Sequence, residues 1–290
     1  MIEKEEIEKI LKNYDRKKIT IGTICSHSAL QIFHGAKKEG FRTVGICEKE
    51  RKFVYQSFPL AKPDEILEVE SFKDLLKPET QQVLIERNTI IIPHGSFVSY
   101  LGAENLLRKF FVPMFGNRQS LVWESDRKKQ EEWLELAGVN YPKIYDSLDK
   151  VGDKIVFVKF HGAKGGRGYF VCRGKELKKK LDSMRIRKED VVIQEFIPGV
   201  RYYPHLFRSI FFNRTELLSM DKRIETIDEI YRSLGYDIDE FKDYTVSGNL
   251  PVIVRESLLR HLLKIVDNIV KASKELFYPG IVGPFCVESI

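Results

Sequence analysis

VFVKFHGAKGGRGYF, residues 156–170, is the stretch from which the rest of the chain is read. An apolar run carries one lysine, Lys159, and opens into a glycine-dense basic loop before a second apolar run. Gly162, Gly165, Gly166 and Gly168 tolerate φ > 0 and let main chain approach a ligand closely. Lys159, Lys164 and Arg167 supply positive charge, so backbone N–H groups and cations together form a polyphosphate cradle. ATP is the expected occupant. No GK[ST] follows the glycines and no helix signal begins there, which excludes a Walker A loop. Instead, runs 155–160 and 168–172 predict the two arms of a hairpin.

Downstream, residues 174–183 read as a basic helix, and residues 191–197 (VVIQEFI) as a strand closed by Pro198–Gly199. That strand end offers the backbone of Glu195, Phe196 and Ile197 to an adenine ring. Residues 201–212 and 215–225 predict a hairpin across Asn213 and Arg214, with MDKRIE at the end of its second arm. Residues 227–243 are acidic and predict a helix, and 245–249 predict a turn. Pro251 is expected to open a helix to about residue 276, burying Val254, Leu258, Leu262, Ile265, Ile269 and Ala272 on one face. Residues 280–290 predict a final strand carrying Glu288.

Upstream, strands and helices alternate. Residues 19–25, 42–47, 66–69, 89–93 and 111–115 predict five strands. Helices are expected over 29–39, closed by Gly40, from the Ser71 cap to about 87, around 103–109, and over 117–138 as one long connector. Such alternation implies an α/β fold with a doubly wound parallel sheet. It places SHS (26–28) and PHGS (93–96) just past the carboxyl ends of strands, where open α/β sheets bind ligands. Ser26, His27, Ser28 and Ser96 suit phosphate and hydroxyl groups, and a helix starting at Ser28 favours an anion. Helix capping is the competing role for each serine. There is no GxGxxG, so a dinucleotide fingerprint is excluded.

The 290 residues include 48 Lys and Arg against 42 Asp and Glu, for a net charge of +6. That suits anionic small ligands and is too dilute to call for nucleic acid. The four cysteines form no CxxC pair, and the charged amphipathic N-terminus is no signal peptide, so a cytoplasmic protein is expected. No membrane span is expected either.

Together CSHSALQIFHGAKKEGF, IIPHGSFVSYLG, VPMFGNRQSLVWESDR, VKFHGAKGGRGYF, IQEFIPGV, LSMDKRIE, GNLPVIVRESLL and GPFCVES resemble the ATP-grasp superfamily. Within it they resemble the archaeal formate-dependent ligases that make 5-formaminoimidazole-4-carboxamide ribonucleotide (FAICAR). The resemblance covers nearly the whole chain, in order. It implies a ligase of IMP biosynthesis that uses ATP and Mg²⁺ or Mn²⁺ to turn formate into formyl phosphate, which the amine of AICAR ribonucleotide then attacks. By the same resemblance His27, Ser28, Ser96 and Asn249 bind AICAR. Lys159, Gly165, Gly166, Gly168, Glu195, Phe196, Ile197 and Glu225 bind ATP, and Glu288 binds the metal. No side chain is singled out as acid or base.

The resemblance also implies an N-terminal α/β domain (1–121), a connector (122–154), an ATP-grasp small lobe (155–200) and a C-terminal lobe (201–290). The family continues into a second metal-carboxylate strand, so a truncated C-terminal lobe is expected here, with self-association a consequence. The family's Ile-Pro-Ala-Lys-Asp-like stretch is replaced by acidic residues 228–243. A paralogous ligase with another acid or amine is therefore one alternative, and an inactive nucleotide-binding subunit another.

Overall fold

The computed structural model describes residues 2–160, 169–225 and 246–290. It divides into two compact units, Met1–Trp133 with Val270–Gly283, and Leu134–Ile269 with Pro284–Ile290.

The first unit carries α1 (Lys4–Lys12), β1 (Thr20–Ile24), α2 (Ala29–Lys38), β2 (Arg42–Glu48), α3 (Lys52–Gln56) and β3 (Glu65–Val69). There follow α4 (Pro78–Glu86), β4 (Thr89–Ile91), α5 (Gly95–Leu101), α6 (Ala103–Arg108), α7 (Arg118–Ser125) and α8 (Arg127–Leu136), the last crossing the boundary at Trp133. Its strands form one parallel sheet in the order β3-β2-β1-β4. Ile24, Val44, Ile46 and Ile91 bury one core with Phe72, Leu84, Phe97 and Phe110. Cys25 and Cys47 bury another with Ala29, Phe33 and Tyr55. A Cβ at Gly22 would stand 2.5 Å from Thr89 Cγ2, so the close approach of β1 and β4 requires glycine there.

The expected fifth strand is reduced to a single parallel bridge between Ile91 and Met114. Pro113 has no N–H to offer a ladder. The Phe111 N–H donates to Gln81 Oε1 at 2.6 Å, and the Phe110 and Val112 carbonyls are taken by the Arg118 guanidinium. The helix expected from Ser71 to 87 is broken in two. Ser71 caps a 3-10 turn, Phe72–Leu76, and α4 restarts with Pro78 at its first position. The residue before proline is pushed out of the helical region, and Lys77 is extended. The single connector helix is likewise two, because Asp126 is extended and its Oδ1 accepts from the N–H groups of Lys128 (2.9 Å) and Lys129 (3.2 Å), capping a new start.

The second unit holds β5 (Ile155–Phe160), β6 (Tyr169–Arg173), α9 (Gly174–Ser183) and β7 (Val191–Glu195). It continues with β8 (Tyr203–Ser209), β9 (Arg214–Glu225) and β10 (Val246–Pro251), and with α10 (Glu256–Leu276), which crosses the boundary after Ile269. β11 (Gly283–Cys286) lies last. The expected hairpin 155–160/168–172 is present as antiparallel β5 and β6, with β7 on the other side of β5. A second antiparallel sheet has the order β10-β9-β8-β11.

Three expectations differ here. Residues 246–251 form an edge strand rather than a turn and a helix start, with Pro251 at its end, where a missing N–H costs no ladder bond. In α10, Val266, Ile269, Val270 and Ala272 are buried, whereas Leu258 and Ile265 are exposed. The hairpin turn is also earlier than expected: β8 ends at Ser209, and Asn213 takes the left-handed conformation. Residues 227–243, expected to be helical, lie outside the described residues.

Candidate functional site

In the first unit the strand order places the loops after β1 and β4 side by side. Successive strands run from β1 to β2 to β3, and β4 then joins the opposite side of β1, so the topological switch point lies between β1 and β4. SHS and PHGS meet there. Ser96 Oγ donates to Ser26 Oγ at 3.0 Å across 70 residues of sequence. Ser28 precedes α2, yet its side chain makes no capping hydrogen bond, and its Oγ lies 2.7 Å from His27 Nδ1. The capping role weighed for Ser28 is thus not the one it has. His27 is exposed and has φ of 25°, a left-handed backbone uncommon for a residue with a Cβ. His27, Ser28 and Ser96 come together at the open end of the sheet.

His94 latches this arrangement, a role its sequence context did not announce. Its Nδ1 accepts from the Ser96 N–H at 3.4 Å and caps α5, while its Nε2 lies 3.2 Å from the Ile24 carbonyl. A ring that accepts at Nδ1 and donates at Nε2 is neutral. Burial pushes the His94 pKa down, partly offset by the Ile24 carbonyl, and the nearby His27 pushes the same way as burial. The folded state therefore binds fewer protons than the unfolded chain below the ordinary value of 6.5. Stability present above that pH is expected to fall as pH drops through 6.5 and on through the lower folded value. His94→Asn, which can still cap α5 but does not titrate, is expected to flatten that slope in urea melts between pH 5 and 7.5. An unchanged slope would assign the titration to another group.

In the second unit Lys159 sits on the central strand β5, beside Phe157 and opposite Val192 on β7. Val156 and Val158 point the other way, into the core of this lobe. Glu195 pairs with Val156, hence on the face away from Lys159, and its Oε2 accepts from the Lys143 N–H at 3.3 Å. Phe196 and Ile197 follow at the strand end, Ile197 exposed. Gly165, Gly166 and Gly168 lie outside the described residues, as does the side chain of Glu225.

The four-stranded sheet gathers a second group on one face. Tyr203 Oη donates to Glu288 Oε1 at 2.9 Å, and the Arg223 guanidinium stacks over the Tyr203 ring at 4.0 Å. Burial, with the Glu288 carboxylate beside it, pushes the Tyr203 phenol well above its usual range, so it remains a donor. Asn249 on β10 stands opposite Arg223, and His205 Nε2 lies 2.7 Å from Asp221 Oδ2. Asn249 and Glu288 are therefore brought onto one sheet face, in company the sequence did not foretell. Among the described residues no group of three His, Cys, Asp or Glu side chains forms a metal site. Glu288, with Oε1 taken by Tyr203, still offers one hard oxygen, which suits a Mg²⁺ whose other ligands are phosphates and water.

Two family profiles match the chain. One, described as "Protein of unknown function (DUF1246)", matches residues 21–145, and the other, "Domain of unknown function (DUF1297)", residues 174–290. A protein of Korarchaeum cryptofilum (strain OPF8) is 52% identical over 305 residues, taking in 100% of this chain and 83% of that protein. It is named 5-formaminoimidazole-4-carboxamide-1-(beta)-D-ribofuranosyl 5'-monophosphate synthetase. A protein of the same name from Methanococcoides burtonii is 46% identical over 100% of this chain and 83% of that protein. Among solved structures, the IMP biosynthesis protein PurP of Thermococcus kodakaraensis superposes with a TM-score of 0.72 at 33% identity, covering 92% of this chain and 80% of that one. N5-carboxyaminoimidazole synthetase from Staphylococcus aureus complexed with ADP gives a TM-score of 0.63 at 15% identity, covering 95% and 68%, a likeness of fold alone. The fold is that of the ATP-grasp enzymes.

Proposed function

This chain belongs to the family of FAICAR synthetases, and from that premise we propose that it formylates AICAR ribonucleotide with formate at the expense of ATP. The observation that supports the nucleotide half of this reading is the meeting of SHS and PHGS at the switch point of the first unit. Hydroxyls of Ser28 and Ser96, the imidazole of His27 and the N-terminus of α2 form a set of donors suited to a phosphate monoester. Asn249, on β10, completes the residues assigned to AICAR.

Lys159, the glycine loop, the main chain of Glu195, Phe196 and Ile197, and Glu225 hold ATP. Glu288 holds a divalent cation, Mg²⁺ or Mn²⁺, which when bound neutralises phosphate charge. The small lobe at 155–200 and the lobe at 201–290 are the parts that do this, preceded by the domain at 1–121 and the connector at 122–154. Formate oxygen takes the γ-phosphoryl group, and the carboxylate so activated has phosphate as its leaving group. The protein's share is to position the three reactants and to neutralise charge. The chain works in the cytoplasm.

The test is ADP release from ATP and Mg²⁺, with and without formate and AICAR. Release that requires both, with FAICAR formed, is the expected result. Release with another carboxylate but not formate would replace the substrate assignment, and ATP binding with no turnover would mean an inactive subunit.

A further inference from the structure

His205 and Asp221 stand on adjacent strands of the four-stranded sheet, with no role in the assignments above. Their side chains meet at 2.7 Å on the face that also carries Tyr203, Arg223, Asn249 and Glu288. The backbone is irregular at this very point. The β8–β9 register shifts opposite His205 and Leu206: their partners are Ser219 and Leu217, so the extra residue is Leu218 on β9, while β8 keeps its alternation. Such bulges re-aim a side chain and are common beside active sites. On β8 the imidazole of His205 is partly exposed and backed by the largely covered Asp221 carboxylate, while Leu206 faces the other way, into the core.

The contact orders the two ring nitrogens. Nε2 faces Asp221, so a neutral ring donates its one N–H there and presents Nδ1 as a lone pair. Among the described residues Nδ1 has no hydrogen-bond partner. A carboxylate that fixes the tautomer and steadies the imidazolium is the arrangement by which a histidine accepts a proton from a reacting group.

We propose that His205 accepts the proton of the attacking amine, with Asp221 as its positioning residue; this rests on the ligase reading above. The amine is a poor nucleophile, since its lone pair is shared with the imidazole ring, and attack leaves an acidic N–H. The amine lone pair forms the C–N bond at the formyl carbon, and the carbonyl π pair moves to oxygen. One amine proton passes to His205 Nδ1. The oxygen pair then returns, the C–O bond to phosphate breaks, and the imidazolium gives its proton to the departing phosphate. Formyl phosphate and the amine thereby become the formamide and hydrogen phosphate, with the histidine restored.

The first half-reaction, phosphoryl transfer to formate, needs no such base, and that separates the outcomes. His205→Ala and His205→Gln are measured in the full chain with ATP and formate alone, by positional isotope exchange in ¹⁸O-labelled ATP, and then with AICAR, by FAICAR formation. The expected result is exchange within about threefold of the unmodified protein, with FAICAR formation lower by roughly 10²–10³-fold. Free imidazole is expected to restore His205→Ala at least tenfold and to leave Asp221→Asn unchanged. Equal loss of both half-reactions would make His205 a structural residue. Undiminished formylation, or a defect that imidazole does not touch, would also overturn the proposal. Absence of formate-dependent exchange in the unmodified protein would instead overturn the ligase reading itself, and the proton role with it.

Discussion

Lys159→Met is expected to weaken ATP binding on the order of 100-fold while leaving affinity for AICAR within about threefold. The size follows from what the ammonium would supply on the proposed assignment. A charge-assisted hydrogen bond to phosphate contributes roughly 1.5–3 kcal/mol, or about one to two powers of ten. Methionine is the informative replacement because it keeps an apolar stem beside Phe157, over whose ring the Lys159 Nζ lies at 5.1 Å, and removes only the charge. The strand itself should survive, since the buried side of β5 is carried by Val156 and Val158. His27→Ala is expected to show the opposite split, losing AICAR affinity and keeping ATP. Calorimetric titration of each variant with each ligand decides the matter. Equal losses of both ligands in both variants would mean that the division between a nucleotide-monophosphate site and an ATP site is wrong.

Much of this arrangement was legible because it is written in local signals. The β-branched run at 20–24, the glycine at 40 with φ of 79° and the TII of β4 fix strands and helices by period and by turn chemistry. Once four such strands alternate with helices, the addresses of SHS and PHGS follow from topology alone. Illegible were the bonds that link distant parts of the chain. Nothing near Glu195 says that its carboxylate accepts from Lys143, 52 residues earlier, and nothing near Tyr203 points to Glu288, 85 residues later. His205 and Asp221 meet only because β8 and β9 pair in one register with one bulge. The Asp126 break is of another kind. A capping aspartate stood in plain view after Ser125, and the surrounding helical period overrode it.

Arg118 is the clearest case of a residue whose weight only the fold reveals, and Arg118→Ala is expected to destabilise the first unit by about 3–5 kcal/mol. Its guanidinium is turned inward among main-chain carbonyls: Nη1 donates to Leu106 at 3.3 Å and to Phe110, and Nη2 donates to Val112 at 2.6 Å. Burial pushes its pKa down to about 10, so it keeps its charge at neutral pH. Leu106 lies in the last turn of α6, where orphan carbonyls and the negative end of the helix dipole favour a cation. An alanine leaves three carbonyls short of a donor and a void the size of the side chain.

Lysine is expected to recover less than half of the loss, because one ammonium on a flexible stem cannot replace a planar fork that spans three carbonyls. The effect should reach the site. The same segment hands the Pro113 carbonyl and the Phe115 N–H to Ile91, the last residue of β4, and the PHGS loop begins just beyond it. AICAR affinity is therefore expected to fall in Arg118→Ala at temperatures where the protein is still folded, with ATP affinity less affected. Urea denaturation and AICAR titration below the transition measure the two effects. A stability loss under about 1 kcal/mol would mean that water replaces the guanidinium, and that the carbonyl clamp is not what holds this loop.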